Sequence, residues 1–212
     1  MSRAGGIPVV HGGEDVNARI ERVPSEDANA WIVGDDEEVV VIDPGRDPAD
    51  VLRAVGDRDV LAVICTHGHL AAGALEVAEP DGAPVALHPK DQMLWRDEHQ
   101  EEEEAEIEMS DGGVFEVADV RLEVIHAPGH TPGSVCLYCE DLEVVFTGHA
   151  LLASGPVPHD GEFPDFAGQL TAIGEYLLTL PDNTRVLPGE GEETTIAAAE
   201  KQFDSWVAAG PS

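Results

Sequence analysis

Apolar residues fall in short blocks along the chain, divided by glycine, proline and acidic turns, and the blocks change character from one to the next. "AWIVG" (30–34) and "EVVVIDPG" (38–45) are rich in β-branched residues, with "DDE" between them, and predict consecutive strands. "DPADVLRAV" (47–55) reads as a helix, with Asp47 placed as its N-cap before Pro48. "VLAVICT" (60–66) is a continuous apolar run of the kind a strand buried on both faces shows. "AAGALEVAE" (71–79) predicts a helix, "PVALH" (84–88) a strand and "KDQMLWRDE" (90–98) a short helix. The charge run "HQEEEEAEIEMSDGG" (99–113) reads as a solvated loop or frayed helix.

In the second half, "VFEVADVRLEVIHAPG" (114–129) predicts a strand pair turning near Ala118–Asp119. "SVCLYCEDLEVVFTG" (134–148) predicts another, turning at Glu140–Asp141. "DFAGQLTAIGEYLLTL" (165–180) is helical, "TRVLPGEG" (184–191) is a strand ending in a glycine turn, and "TTIAAAEKQFDSWVAA" (194–209) is a closing helix. Strands and helices interleave in both halves, with no linker-like stretch and no repeat. The expectation is one α/β domain over residues 1–212, built on two sheets with helices outside.

Charge changes the picture in one respect. Against 43 acidic residues stand 11 basic ones, a net charge of −32, and lysine occurs only at Lys90 and Lys201. Such a coat repels nucleic acid and anionic membrane surfaces, and suits a salt-rich or solubility-driven setting. No apolar run approaches a membrane span, and "MSRAGGIPVVHGG" lacks the apolar core of a signal peptide, so a cytoplasmic protein is expected. The three cysteines, Cys65, Cys136 and Cys139, give no disulfide framework. "CLYC" has redox-motif spacing, but residues three apart on a strand point to opposite faces, which predicts core cysteines.

The candidate chemistry lies where apolar strands meet glycine turns. "THGH" follows the strand "VLAVIC" and places His67 and His69 two apart, on one face if the segment is extended. "HAPGHTPGS" (126–134) holds His130 in a proline and glycine turn, which aims one side chain. "VVFTGHALL" (144–152) ends a strand at His149, and "RVLPGEG" ends one at Glu190. Imidazoles gathered from such turns bind one transition metal ion at about 2.0–2.1 Å each.

In their order, "VIDPG", "THGH", "APGHTPGS", "FTGHALL" and "LPGEG" resemble the successive motifs of the metallo-β-lactamase fold superfamily, which includes glyoxalase II. The resemblance spans nearly the whole chain. It implies an αββα sandwich with the site along one edge of two sheets, and an aspartate, Asp43, beside that site. Glyoxalase II carries an added C-terminal helical domain, for which the chain leaves little room after "LPGEG". The departures are specific. Where the superfamily has THxHxDH, this chain has Ala71 and Ala72 for the Asp and the last His; the TGD motif reads Thr147-Gly148-His149; the PGHG motif reads Pro188-Gly189-Glu190-Gly191. The positions of the first metal's histidines survive as His67, His69 and His130. Every change falls on a ligand position while the surrounding turn residues remain, which suggests a site rebuilt, by selection or engineering, from dinuclear to mononuclear.

One divalent ion is therefore expected, Zn²⁺ first and Fe²⁺ or Cu²⁺ as alternatives, held by His67, His69 and His130 with His149 or Glu190. The expected activity is hydrolysis of a small-molecule substrate, with a metal-bound water attacking an ester, thioester or lactam carbonyl and Glu190 as general base if it is not a ligand. Two rival readings stand beside it. One is a mononuclear iron or copper redox enzyme, because the superfamily includes persulfide dioxygenases that use one iron. The other is a non-catalytic variant of the fold. His88 and His126 read as structural, and His159 as a loop residue near the cleft.

Overall fold

The computed structural model describes residues 17–24, 28–99, 104–157 and 165–210. The first sheet contains β1 (Arg19–Pro24), β2 (Asn29–Gly34), β3 (Glu38–Ile42), β4 (Asp59–Ile64), β5 (Val85–Leu87) and β6 (Ile107–Glu108), in that spatial order. The second contains β7 (Val114–Val117), β8 (Val120–His126), β9 (Val135–Cys139), β10 (Val144–Gly148), β11 (Arg185–Pro188) and β12 (Thr194–Thr195), also neighbour to neighbour. On the first sheet pack α1 (Ala49–Val55), α2 (Ala74–Ala78) and α3 (Gln92–Glu98). On the second pack α4 (Phe166–Ala172), with a π-helical turn at Ile173–Leu177, and α5 (Ile196–Ala209). This is the αββα sandwich that the motifs implied.

The unbroken apolar strands have a direct reason: both faces are covered. Val40, Ile42 and Ile64 point between the sheets at Leu122, Leu137 and Phe146, while Val39, Val41 and Val63 point out at α1 and α2. Trp31 meets Phe146 edge-on across the sandwich, ring centroids 5.9 Å apart. Cys139 faces the inter-sheet core and Cys136 the helices on the other side, so the "CLYC" cysteines are buried on opposite faces as expected. Burial pushes both thiols up, and Cys65 as well.

Three short strands depart from the sequence reading. β1 arises from "RIERVP", which has no continuous apolar block and is held by pairing with β2 along its whole length. β6 lies inside the charge run, where Ala105, Ile107 and Met109 alternate with acidic residues and turn inward. β12 is a two-residue pairing just before α5, and Thr195 also caps that helix by accepting from the Ala198 amide. Residues 100–103 and His159 lie outside the described residues. No described helix is long and apolar enough to cross a membrane.

β3, β4 and β5 run parallel and end at one edge, delivering Asp43, Thr66–His67 and His88 there. β10 and β11, also parallel, end in the turns that carry His149 and Glu190. Hydrogen bonds join these ends across the sandwich, from Val135 N to Thr66 O at 2.9 Å and from Asn29 N to Gly189 O at 2.6 Å.

The charge imbalance opposes this compact state through self-repulsion, which salt screens as the Debye length falls from about 10 Å at 0.1 M to about 3 Å at 1 M. The melting temperature should therefore rise with KCl over that range. Calorimetry showing a flat or falling midpoint would contradict this account.

Candidate metal centre

His67, His130 and His149 offer ring nitrogens that all lie within 4.8 Å of one another. Among the described residues, these three form the group of His, Cys, Asp or Glu side chains close enough to share an ion. The His67 ring is 4.8 Å from those of both His130 and His149, and His130 is 4.9 Å from His149. His69 stands one step out, its ring 5.5 Å from His67 and 5.8 Å from His130. Two nitrogens on one ion at about 2.1 Å each are at most about 4.2 Å apart. The cluster is thus within a small side-chain adjustment of a ligating set, and neutral imidazoles suit zinc, iron or copper.

The way His67 and His69 converge differs from the extended segment expected. His67 is extended, but Gly68–Leu70 form a single 3-10 turn. That turn is fixed because the Gly68 amide donates to Asp91 Oδ2 at 3.0 Å. A turn tied to a distant carboxylate, and not strand alternation, aims the pair.

Asp43 acts on His67 through Thr66. Its side chain is buried and its backbone is left-handed, at φ 51°. Oδ1 accepts from the Thr66 amide at 2.7 Å and Oδ2 from the Thr66 hydroxyl at 2.6 Å. The same hydroxyl oxygen lies 3.1 Å from His67 Nδ1. With Asp43 ionised, Thr66 gives its one hydroxyl proton to Asp43, and His67 Nδ1 is then the donor in this contact. That tautomer leaves Nε2 as the atom able to bind an ion. Burial pushes the Asp43 carboxyl up to about 7, against the pull of the two Thr66 bonds.

The other turns are held as tightly. Gly148, at φ 48°, lies against Thr66, and a Cβ there would overlap the Thr66 hydroxyl. Gln169, buried on α4, donates to the carbonyls of His149 at 3.1 Å and Ala150 at 2.9 Å. The Gly189 amide donates to Gly148 O at 2.7 Å, so the turn of Glu190 sits against the turn of His149. Asn29 and Trp31 fix the Glu190 turn from β2 by donating to Pro188 O. Glu190 itself is exposed, and its carboxylate is not among the gathered ligand atoms.

Where the superfamily motif has two further ligands, this chain has methyl groups. Ala71 is buried in the helix-covered core of the first sheet, and its carbonyl accepts from His99 Nε2 at 2.9 Å; Ala72 is half-buried. His88 and His126 stack in parallel, centroids 4.3 Å apart. His126 Nε2 donates to Pro132 O at 3.0 Å and so braces the His130 loop. Burial and the neighbouring His126 and Lys90 depress the His88 pKa to about 4. Asp91 and Gln169 escaped the sequence reading. Asp91 looked like the start of a helix and Gln169 like a helix face, and neither has a local pattern that marks its long-range bonds.

An α/β sandwich with histidines gathered at one sheet edge defines a metal-binding fold of the hydrolase type. The chain belongs to the metallo-beta-lactamase superfamily, whose profile matches residues 24–204. It is similar to YqgX of Bacillus subtilis, a probable metallo-hydrolase, at 30% identity over 190 residues, covering 82% of this chain and 90% of YqgX. It is similar to the hydroxyacylglutathione hydrolase GloC of Haemophilus influenzae at 25% identity over 203 residues, covering 88% of this chain and 96% of GloC. Among solved structures, ETHE1 from Myxococcus xanthus superposes with a TM-score of 0.75 at 25% identity, covering 91% of this chain and 86% of that one.

Thr66→Val removes a buried donor from Asp43 and an acceptor from His67. It should lower the unfolding free energy by about 1–3 kcal/mol in urea titration. A separate test concerns pH. Asp43 binds its proton more tightly folded, at about 7 against an ordinary 3.8. Its contribution to stability is thus fully present below the ordinary value and is lost as pH rises through about 7. The stability advantage of wild type over Asp43→Asn should shrink from pH 5 to pH 8; an advantage that grows would refute the assignment.

Proposed function

We propose that this protein is a mononuclear metallohydrolase. In this reading His67, His69, His130 and His149 hold one divalent transition metal ion, zinc first, and Glu190 serves as general base from outside the ligand set. The observation that carries it is the tight group of His67, His130 and His149, in a chain that has alanines at 71 and 72. When bound, the ion supplies Lewis acidity toward a substrate carbonyl and toward water.

The protein's own residues supply the rest. Thr66, itself bonded to Asp43, holds the His67 ring by its Nδ1 and so directs Nε2 toward the other histidines. Gln169 fixes the backbone of His149, which stands where the superfamily has a bridging carboxylate. Glu190 is solvent-exposed on a turn bonded to Gly148, so its carboxylate can take a proton from an incoming water and pass it to bulk. The likeness to a hydroxyacylglutathione hydrolase supports a thioester as the first substrate class to assay, with esters and lactams beside it.

Metal analysis of purified protein should find one ion per chain, and His130→Ala should lose it. Glu190→Gln should retain the ion while hydrolysis of a model thioester falls by about 10²-fold or more. Two ions per chain would overturn the mononuclear reading. A coloured iron protein that consumes oxygen and leaves thioesters intact would favour the redox reading, and a wild type that binds metal without turnover the non-catalytic one.

A further inference from the structure

The strongest unexplained feature outside the histidines is a buried carboxylate. Asp91 has no exposed surface and sits at the N-terminal end of α3, where an aspartate ordinarily caps its own helix. It does not: no α3 amide bonds to its side chain. Among the described residues, its side-chain bonds instead go to two other turns. Oδ2 accepts from the Gly68 amide at 3.0 Å and from the Thr131 hydroxyl at 2.7 Å, and Oδ1 accepts from the Gly133 amide at 2.7 Å.

The places where these bonds land give them meaning. Gly68 lies between His67 and His69, and Thr131 follows His130. One carboxylate therefore ties the turn that carries two of the histidines to the turn that carries a third. The Thr131 proton is committed to Asp91, so Ser134 Oγ, 2.7 Å away, must donate to Thr131 Oγ1; Ser134 Oγ in turn accepts from the Thr131 amide at 3.0 Å. The bonds form a directed chain ending at the carboxylate. Gly133 is required at this point, because a Cβ there would lie 2.6 Å from Asp91 Oδ1.

We infer that Asp91 is a positioning residue of the metal centre, setting the His67–His69 turn against the His130 turn so that their imidazoles meet in ligating register. The inference rests on the metal-site reading above and extends it to a residue that touches no ligand atom. Three donors and no acceptor converge on Asp91, so an amide cannot replace it. In Asp91→Asn the NH₂ group must face at least one N–H or O–H, losing that bond and pushing the two turns apart.

The test compares wild type, Asp91→Asn and Val55→Ala, the last a core truncation in α1 that removes no hydrogen bond of this network. Zinc affinity is measured against a chromophoric chelator, and Co²⁺ absorption reports ligand geometry. Asp91→Asn should bind zinc about 10–100-fold more weakly and alter the Co²⁺ bands. Val55→Ala should melt earlier with affinity and bands unchanged. An Asp91→Asn protein that melts early but keeps wild-type affinity and bands would reduce Asp91 to a structural residue and overturn the proposal. If Asp91→Asn does not fold, Thr131→Val removes one of the three bonds and should show a smaller loss of affinity; no loss would overturn the proposal equally. If wild type binds no metal, the metal-site reading fails by itself. Ring ¹⁵N and ¹H shifts of His67, His69 and His130 in metal-free Asp91→Asn then decide the positioning role, with unchanged shifts counting against it.

Discussion

The site depends most on Thr66, a small residue that bonds in four directions at once. Its amide and hydroxyl both donate to Asp43 at the end of β3, and its carbonyl accepts from Val135 in the opposite sheet. Its hydroxyl oxygen faces His67 Nδ1 and leaves room only for glycine at 148. A residue of this kind converts the packing of two sheets into the position of one ring nitrogen. It also makes the site intolerant of slack, since every one of these groups is buried and has few other partners within reach.

The same logic repeats at the neighbouring turns with different side chains. Asp91 joins the first two histidine turns, Gln169 holds the turn of His149, and Asn29 with Trp31 holds the turn of Glu190. Each uses a buried polar group to reach a backbone amide or carbonyl, and so fixes a turn through its main chain. The motif resemblance implies changes at the tips of these turns with glycines, prolines and Thr66 kept, and this division accords with that. Changing a ligand alters the chemistry at the tip of a turn; changing a bracing residue alters where the turn is.

That division also decides what the sequence could reveal. Alternation and apolar runs are local, so the long strands β2, β3, β4, β8, β9 and β10 were legible, as was the burial of Cys136 and Cys139 on opposite faces. β1 and β6 were not, because "RIERVP" and "AEIEM" are amphipathic or acidic segments that become strands by pairing with a sheet already formed. The gathering of His67, His130 and His149 was legible from their turns and from the superfamily's motif order, while His69 stands one step out. Asp91 and Gln169 were not, because the partners of Asp91 lie 23 to 42 residues away and those of Gln169 about 20. Asp43 was legible only as a position; its working contact, through Thr66 to His67, needed coordinates.

The electrostatics of the centre run against those of the molecule. The chain carries 43 acidic residues against 11 basic ones, yet the side chains gathered at the sheet edge are imidazoles. The carboxylates that lie close, Asp43 and Asp91, each stand one hydrogen-bonded group back from a histidine and are occupied with fixing it. Among the described residues, no carboxylate joins the gathered nitrogens of His67, His130 and His149. A cation bound there would meet donors that do not neutralise it. Glu190, exposed and one turn away, is the one carboxylate of the candidate set placed to exchange protons with solvent. Asp43 and Asp91 thus brace turns from buried positions, while Glu190 is exposed and stands outside the gathered group of histidines.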